Sequence, residues 1–159
     1  MEKHKIIQVR DLTVGYGTDI ILENISFDVL EGEIFIVLGG SGCGKSTLLK
    51  HLIGLIPPLS GRIRIDGEDL SNCNEATFKT ILRKIGVLYQ SSALFGSMTI
   101  AENVSFLIKE YTDLPKKSVD TLVKMKLNMV NLNGYENHLP SEISGGMRKR
   151  AGLARAMAL

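Results

Sequence analysis

The octet Gly39-Gly40-Ser41-Gly42-Cys43-Gly44-Lys45-Ser46 constrains this chain more than any other segment. It fits the G-x-x-x-x-G-K-[ST] loop that cradles phosphates between a buried strand and a helix. The flanks agree. Ile34–Leu38 is apolar at every position, as expected of a parallel strand buried on both faces. A helix is expected from about Lys45 to Leu55, ended by Pro57 and Pro58. Glycines let backbone N–H groups turn inward around phosphates, and the helix N-terminus adds a positive dipole. Lys45 brings a point charge to the β- and γ-phosphates, and the Ser46 hydroxyl can ligate Mg²⁺. Cys43 holds a variable position and is expected to offer only its backbone N–H.

Composition narrows the class. With 159 residues, 44% hydrophobic and 23% charged, the chain can bury a core and is not disordered overall. The balance of 19 Lys+Arg against 17 Asp+Glu gives no footing for nucleic acid or an anionic membrane. No apolar run approaches the ~20 residues of a membrane span, and Met1–Ile7 lacks a leader. Cys43 and Cys73 alone suggest reduced thiols in the cytosol. His4, His51 and His138 are scattered, without ligand spacing.

Ile6–Val9 and Ile20–Leu30 read as strands, the second alternating at Ile25, Phe27 and Val29. Glu31-Gly32 is a turn before Ile34–Leu38, and Asp66-Gly67 a tight turn after a further strand, Arg62–Asp66. A helix from Glu75 to Arg83 has Asn72 and Glu75 at capping-box spacing, and Ile85–Tyr89 reads as a short strand. Beyond Gln90 the pattern is helical. Thr99 and Glu102 cap a helix to about Lys109, and Pro115 opens another with the apolar face Val119, Leu122, Val123, Leu127, Val130. Met125 and Met129 are expected as core filler. A last basic helix runs to the final residue, with Arg148, Lys149, Arg150 and Arg155 as a solvated face.

That helix opens with Ser144-Gly145-Gly146-Met147, an N-cap followed by two glycines that let a ligand approach the backbone. Roughly a hundred residues after the phosphate loop, this pattern resembles the signature motif of the ATPase domain of ABC transporters, with Met147 where Gln is usual. Gln90 resembles that family's Gln loop, and Tyr16 in Val14-Gly15-Tyr16-Gly17 its adenine-stacking aromatic. Glu31-Gly32-Glu33 also fits. More narrowly, Leu88–Phe95, Met98–Val104 and Leu139–Arg150 are similar to ATPases of MCE-associated (Mla-type) phospholipid transport, where Met in the signature is usual.

The resemblance implies an α/β phosphate-loop NTPase with an antiparallel β-subdomain and a helical subdomain. Residues 1–30 and 61–70 would be mainly β-subdomain, 31–60 and 71–90 the phosphate-loop core, and 91–159 the helical subdomain with the signature helix. Two such domains sandwich ATP, the phosphate loop of one facing the signature helix of the other. The implied nucleotide set is Tyr16, Gly39, Gly40, Ser41, Gly42, Cys43, Gly44, Lys45, Ser46, Thr47, Gln90, Ser144, Gly145 and Gly146. Lys45 and Gln90 would be catalytic, Ser46 and Gln90 would meet Mg²⁺, and Ser91–Thr99, with Leu94, Phe95 and Met98 exposed, would dock an inner-membrane permease. The protein would then sit on the cytoplasmic face of that membrane, coupling ATP to lipid transport.

One part of the family pattern has no counterpart. After Gln90 no apolar run ends in the Asp that orients Mg²⁺, and none is followed by the Glu that polarises water. A later switch His is lacking too. Ile63–Asp66 ends in Asp but alternates and precedes Gln90, so it belongs to the β-subdomain. The chain is therefore expected to be an N-terminal part of a longer ATPase, with an incomplete core sheet and no hydrolysis by itself. Its alternatives are an ABC ATPase for another cargo and a non-hydrolysing nucleotide-binding module. A GTPase or small-molecule kinase would leave Ser144–Met147 unexplained.

Overall fold

The computed structural model describes residues 3–159, so the first two positions of the N-terminal segment lie outside it. The chain divides into two compact units, Met1–Leu82 and Arg83–Leu159.

In the first unit, β1 (Lys5–Tyr16), β2 (Asp19–Leu30), β3 (Ser60–Ile65) and the short β4 (Glu68–Asp69) form an antiparallel sheet in the order β2-β1-β3-β4. One face is apolar because alternate residues point the same way. Val9, Leu12 and Val14 of β1 and Ile63 and Ile65 of β3 are buried there. Asp66 and Gly67 join β3 to β4 with φ of 50° and 83°, as a two-residue primed turn requires. Helix α1 (Lys45–Leu52) stops short of the expected Leu55, and α2 spans Glu75–Leu82. Asn74, rather than Asn72, caps α2: its Oδ1 accepts the Thr77 N–H at 2.9 Å.

Ile34–Leu38 is not a strand. A strand exists only through ladder partners, and none of the described residues pairs with it. Phe35 stacks on Phe27 of β2 at 4.8 Å between centroids, yet Ile34 and Leu38 remain 88% and 86% exposed.

In the second unit, α3 (Ile100–Tyr111), α4 (Lys116–Met129) and α5 (Gly145–Ala156) surround one core. Ile100, Val104 and Ile108 repeat every four residues on α3, and Val119, Val123 and Leu127 do so on α4. They meet Ala151 and Ala154 of α5, whose small side chains admit close approach. Met125 and Met129 are 49% and 63% exposed, so they are not core filler. Two residues past Val123 and Leu127 is about 200° around a helix, which points them outward. The final helix ends at Ala156, where Met157 leaves helical geometry. Ile85–Tyr89 is also irregular rather than a strand, because it packs on α5 instead of joining a ladder. A Cβ on Gly86 would strike the Ala156 carbonyl, and one on Gly152 would press on Leu88 and Ser92.

Candidate functional site

In the first unit, the loop from Gly39 leads into α1 through Gly44, whose φ of 94° only glycine adopts readily. No side chain caps α1, and its first turn carries no acid. The helices α3 and α5 are capped by Thr99 and Ser144, whereas α4, which opens after Pro115, is uncapped like α1 but has no glycine loop before it. The first-turn N–H groups of α1 thus lack the side-chain acceptor that helix starts usually recruit, and the dipole favours an anion there. Gly40 needs no unusual φ, and a Cβ there would meet nothing within 4 Å. The fold itself does not require a glycine at that place.

Lys45 reaches back over the loop. Its Nζ donates to the carbonyls of Gly39 at 2.8 Å and Gly40 at 2.5 Å. Cys43 Sγ lies 3.5 Å from the same ammonium, so Cys43 contributes a side chain as well as backbone. Ser46 is exposed in the first turn of α1 and Thr47 is buried beside it. Tyr16, 44% exposed at the end of β1, lies against this helix. A hydrogen bond from Thr47, and then one from Lys50, hold its phenol below the usual range. Tyr16 and the loop Gly39–Thr47 are therefore brought to one helix.

In the second unit, Gln90 is exposed in a turn. Ser144 Oγ accepts the Met147 N–H at 3.2 Å and starts α5, while Gly145 and Gly146 are exposed. A Cβ on Gly146 would meet nothing within 4 Å.

The basic run on α5 is a solvated face only in part: Arg148 and Lys149 are exposed, while Arg150 is half-buried and Arg155 buried. Arg148 donates to the carbonyls of Pro140 and Ile143, and Arg150 to those of Val130 and Asn131. Arg155 is 9% exposed and its guanidinium donates to Ser92 O at 2.9 Å and Ala93 O at 2.7 Å. Each arginine serves a backbone carbonyl that no helix or sheet satisfies. Burial lowers the Arg155 pKa, partly offset by Tyr89. Ser92 and Ala93 have φ of 67° and 46°, and the Arg155 clamp holds that turn just after Gln90. Sequence reasoning missed it because an arginine's partners there lie 62 and 63 residues away.

In the segment Ser91–Thr99, Phe95 is 44% exposed, but Leu94 packs on the helical core and Met98 is half-buried. Those two were expected to be exposed. Asn103 organises the segment: its Nδ2 donates to the carbonyls of Phe95, Met98 and Thr99, and its Oδ1 accepts the Phe95 N–H. A groove of about 460 Å³ lies beside it, lined in part by Met98, Glu102, Phe106 and Lys109. Among the described residues, no three His, Cys, Asp or Glu side chains cluster as a metal site. No helix among them is long and apolar enough to cross a membrane.

A family model for ABC transporters matches residues 22–159. The chain belongs to the ABC transporter family. It is 46% identical over 153 residues to the probable ribonucleotide transport ATP-binding protein mkl of Mycobacterium leprae, covering 96% of this chain and 44% of that protein. It is 41% identical over 154 residues to the intermembrane phospholipid transport system ATP-binding protein MlaF of Haemophilus influenzae, covering 97% and 58%. The chain thus spans about half the length of these curated relatives. A solved dimeric bacterial ABC transporter cassette superposes with a TM-score of 0.85 at 31% identity, over 96% of this chain and 69% of that one. The α/β cassette fold expected from the two motifs is therefore present, with its core sheet incomplete. The likeness to phospholipid-transport ATPases is carried by the MlaF relatives.

Proposed function

We propose that the chain is the nucleotide-binding part of an ABC transporter's ATP-binding subunit, and that its transported class is phospholipid. The observation that carries nucleotide binding is the uncapped start of α1, with Lys45 across the glycine loop. On this reading the N–H groups of Gly40 to Ser46 receive the phosphates. The Lys45 ammonium exchanges its two carbonyl contacts for phosphate oxygens, and Tyr16 stacks on adenine. Ser46, exposed at the loop's end in the first turn of α1, suits Mg²⁺. Bound there with ATP, Mg²⁺ would neutralise phosphate charge.

A second copy completes the site, its Ser144, Gly145 and Gly146 closing on the γ-phosphate from another helix N-terminus. The solved cassette likened to this chain is dimeric. Arg155 and Asn103 hold the Ser91–Thr99 segment in one shape, which suits it to dock a permease through exposed Phe95 and the groove beside Phe106. The subunit would then be peripheral on the cytoplasmic side of the inner membrane. The phospholipid class follows the relative named for phospholipid transport; the one named for ribonucleotide transport supports the second reading.

Hydrolysis needs more than these residues carry. Ile34–Leu38 has no ladder partner among the described residues, and no residue after Gln90 provides the acidic strand end that orients Mg²⁺ and water. We expect this chain to bind ATP without steady turnover. Titration with ATP and Mg²⁺ tests this: binding should be saturable, and Lys45→Ala should weaken it about 10- to 150-fold, the worth of one charged hydrogen bond. Absence of binding, or steady turnover by the purified chain, would overturn the reading. Stimulation of the assembled transporter by phospholipid rather than ribonucleotide decides the cargo.

A further inference from the structure

His51 is 1% exposed, yet nothing in the proposed chemistry uses it. Both ring nitrogens are engaged. Nδ1 lies 2.9 Å from the Ile56 carbonyl, which can only accept, so the proton sits on Nδ1. Nε2 lies 3.3 Å from the Gly15 backbone nitrogen, which can only donate, so Nε2 presents its lone pair. The ring thus ties α1 to the residue immediately before Tyr16.

Two neighbours act on Tyr16 itself. Lys50 Nζ donates to the phenol oxygen at 3.1 Å and lies 5.5 Å from the ring centroid. The Thr47 side chain hydrogen-bonds the same phenol. Thr47, Lys50 and His51 stand at i, i+3 and i+4, one face of the helix that begins at the phosphate loop. The hairpin end they hold is tightly folded: a Cβ on Gly15 would collide with the Asp19 carbonyl. These bonds add to the β1–β2 ladder, which pairs Gly15 with Ile20 and Tyr16 with Asp19.

We propose that His51 is a positioning residue that sets the Tyr16 ring at the height above the phosphate loop that a nucleotide's base occupies. This rests on the reading of Tyr16 as the base-stacking residue. Its consequence is selective: His51 contributes to binding of a base-bearing triphosphate and not to binding of the phosphates alone.

The two amide isosteres of histidine separate the two bonds. In His51→Asn, the amide nitrogen takes the place of Nδ1 and keeps Ile56, but nothing reaches Gly15. In His51→Gln, the amide oxygen takes the place of Nε2 and keeps Gly15. Affinities of the full chain for ATP and for inorganic tripolyphosphate are measured beside Tyr16→Ala. We expect His51→Asn to weaken ATP about 3- to 10-fold, the worth of one neutral hydrogen bond, and His51→Gln to stay within about twofold. Tripolyphosphate affinity should be the same in both. A merely structural role would move the two variants alike, or lower ATP and tripolyphosphate together, and either result overturns the proposal. ATP affinity unchanged in His51→Asn while Tyr16→Ala weakens it overturns the role of His51 alone. No effect of Tyr16→Ala overturns the stacking reading and the proposal with it. Loss of tripolyphosphate binding in Lys45→Ala alone would show that the loop reading stands regardless.

Discussion

Four hydrogen bonds converge on the side-chain amide of Asn103, which is fully buried. An amide offers both donors and an acceptor, so a single residue can satisfy a turn that makes no ladder. Asn103→Leu would leave the part-buried Phe95 N–H without its acceptor and the Phe95 and Met98 carbonyls without this donor, while Thr99 O keeps the Asn103 backbone N–H. It should destabilise the helical unit by at least about 2 kcal/mol in denaturant unfolding. Glu102, one residue earlier, accepts the Thr99 backbone N–H at 2.7 Å while Thr99 Oγ1 accepts the Glu102 N–H at 3.2 Å. Those bonds, the backbone one first, hold the Glu102 carboxyl below its ordinary 4.5. Its folded pKa is depressed, so the cap is complete above that value and is lost as the pH falls below it. The protection factors of the first-turn amides of α3, taken relative to intrinsic exchange at each pH, should therefore fall as the pH drops below 4.5, and in Glu102→Gln that dependence should vanish.

At the scale of elements, the two segments expected as core strands behave alike for one reason. Val, Ile and Leu at Ile34–Leu38 and Ile85–Tyr89 announce burial, but burial must be supplied by neighbours. The hairpin strands β1 and β2 carry their partner within the same stretch of chain, joined by a short turn, so both form, β1 running to Tyr16 and well past the expected Val9. A parallel strand has no such local partner. The exposed apolar segment is then an adhesive edge. Replacing Ile34 and Ile36 together by Thr should reduce self-association in sedimentation while changing unfolding stability by less than about 0.5 kcal/mol. A larger loss of stability would mean that these side chains are buried in solution. The capping pattern was legible at Thr99 and Ser144, where the partner lies three residues on. It failed at Asn72, because Asn74 offers the same chemistry closer to the helix.

On the scale of the molecule, the core of α3, α4 and α5 is complete within residues 83–159, and the sheet core within the first unit. Each has its own cooperative burial, so damage should stay local. Leu127→Ala, at a fully buried position, should cost about 2–5 kcal/mol and release the amides of α3 to α5. The amides of β1 and β3 should keep their protection in the same hydrogen-exchange experiment. Common loss in both units would show that they unfold as one.

The sequence alone determined the glycine loop leading into a helix at Lys45, the helix starts at Thr99 and Ser144, and the apolar face of α4. Each of those is written within a few residues, where spacing maps directly onto backbone geometry. Only the tertiary structure decided which arginines are buried, that Met125 and Met129 point outward, and that His51 joins α1 to Gly15. It also decided that two apolar runs stay unpaired. Those outcomes depend on groups far apart in the chain, and a side chain's identity does not say which distant carbonyl, strand or ring will meet it.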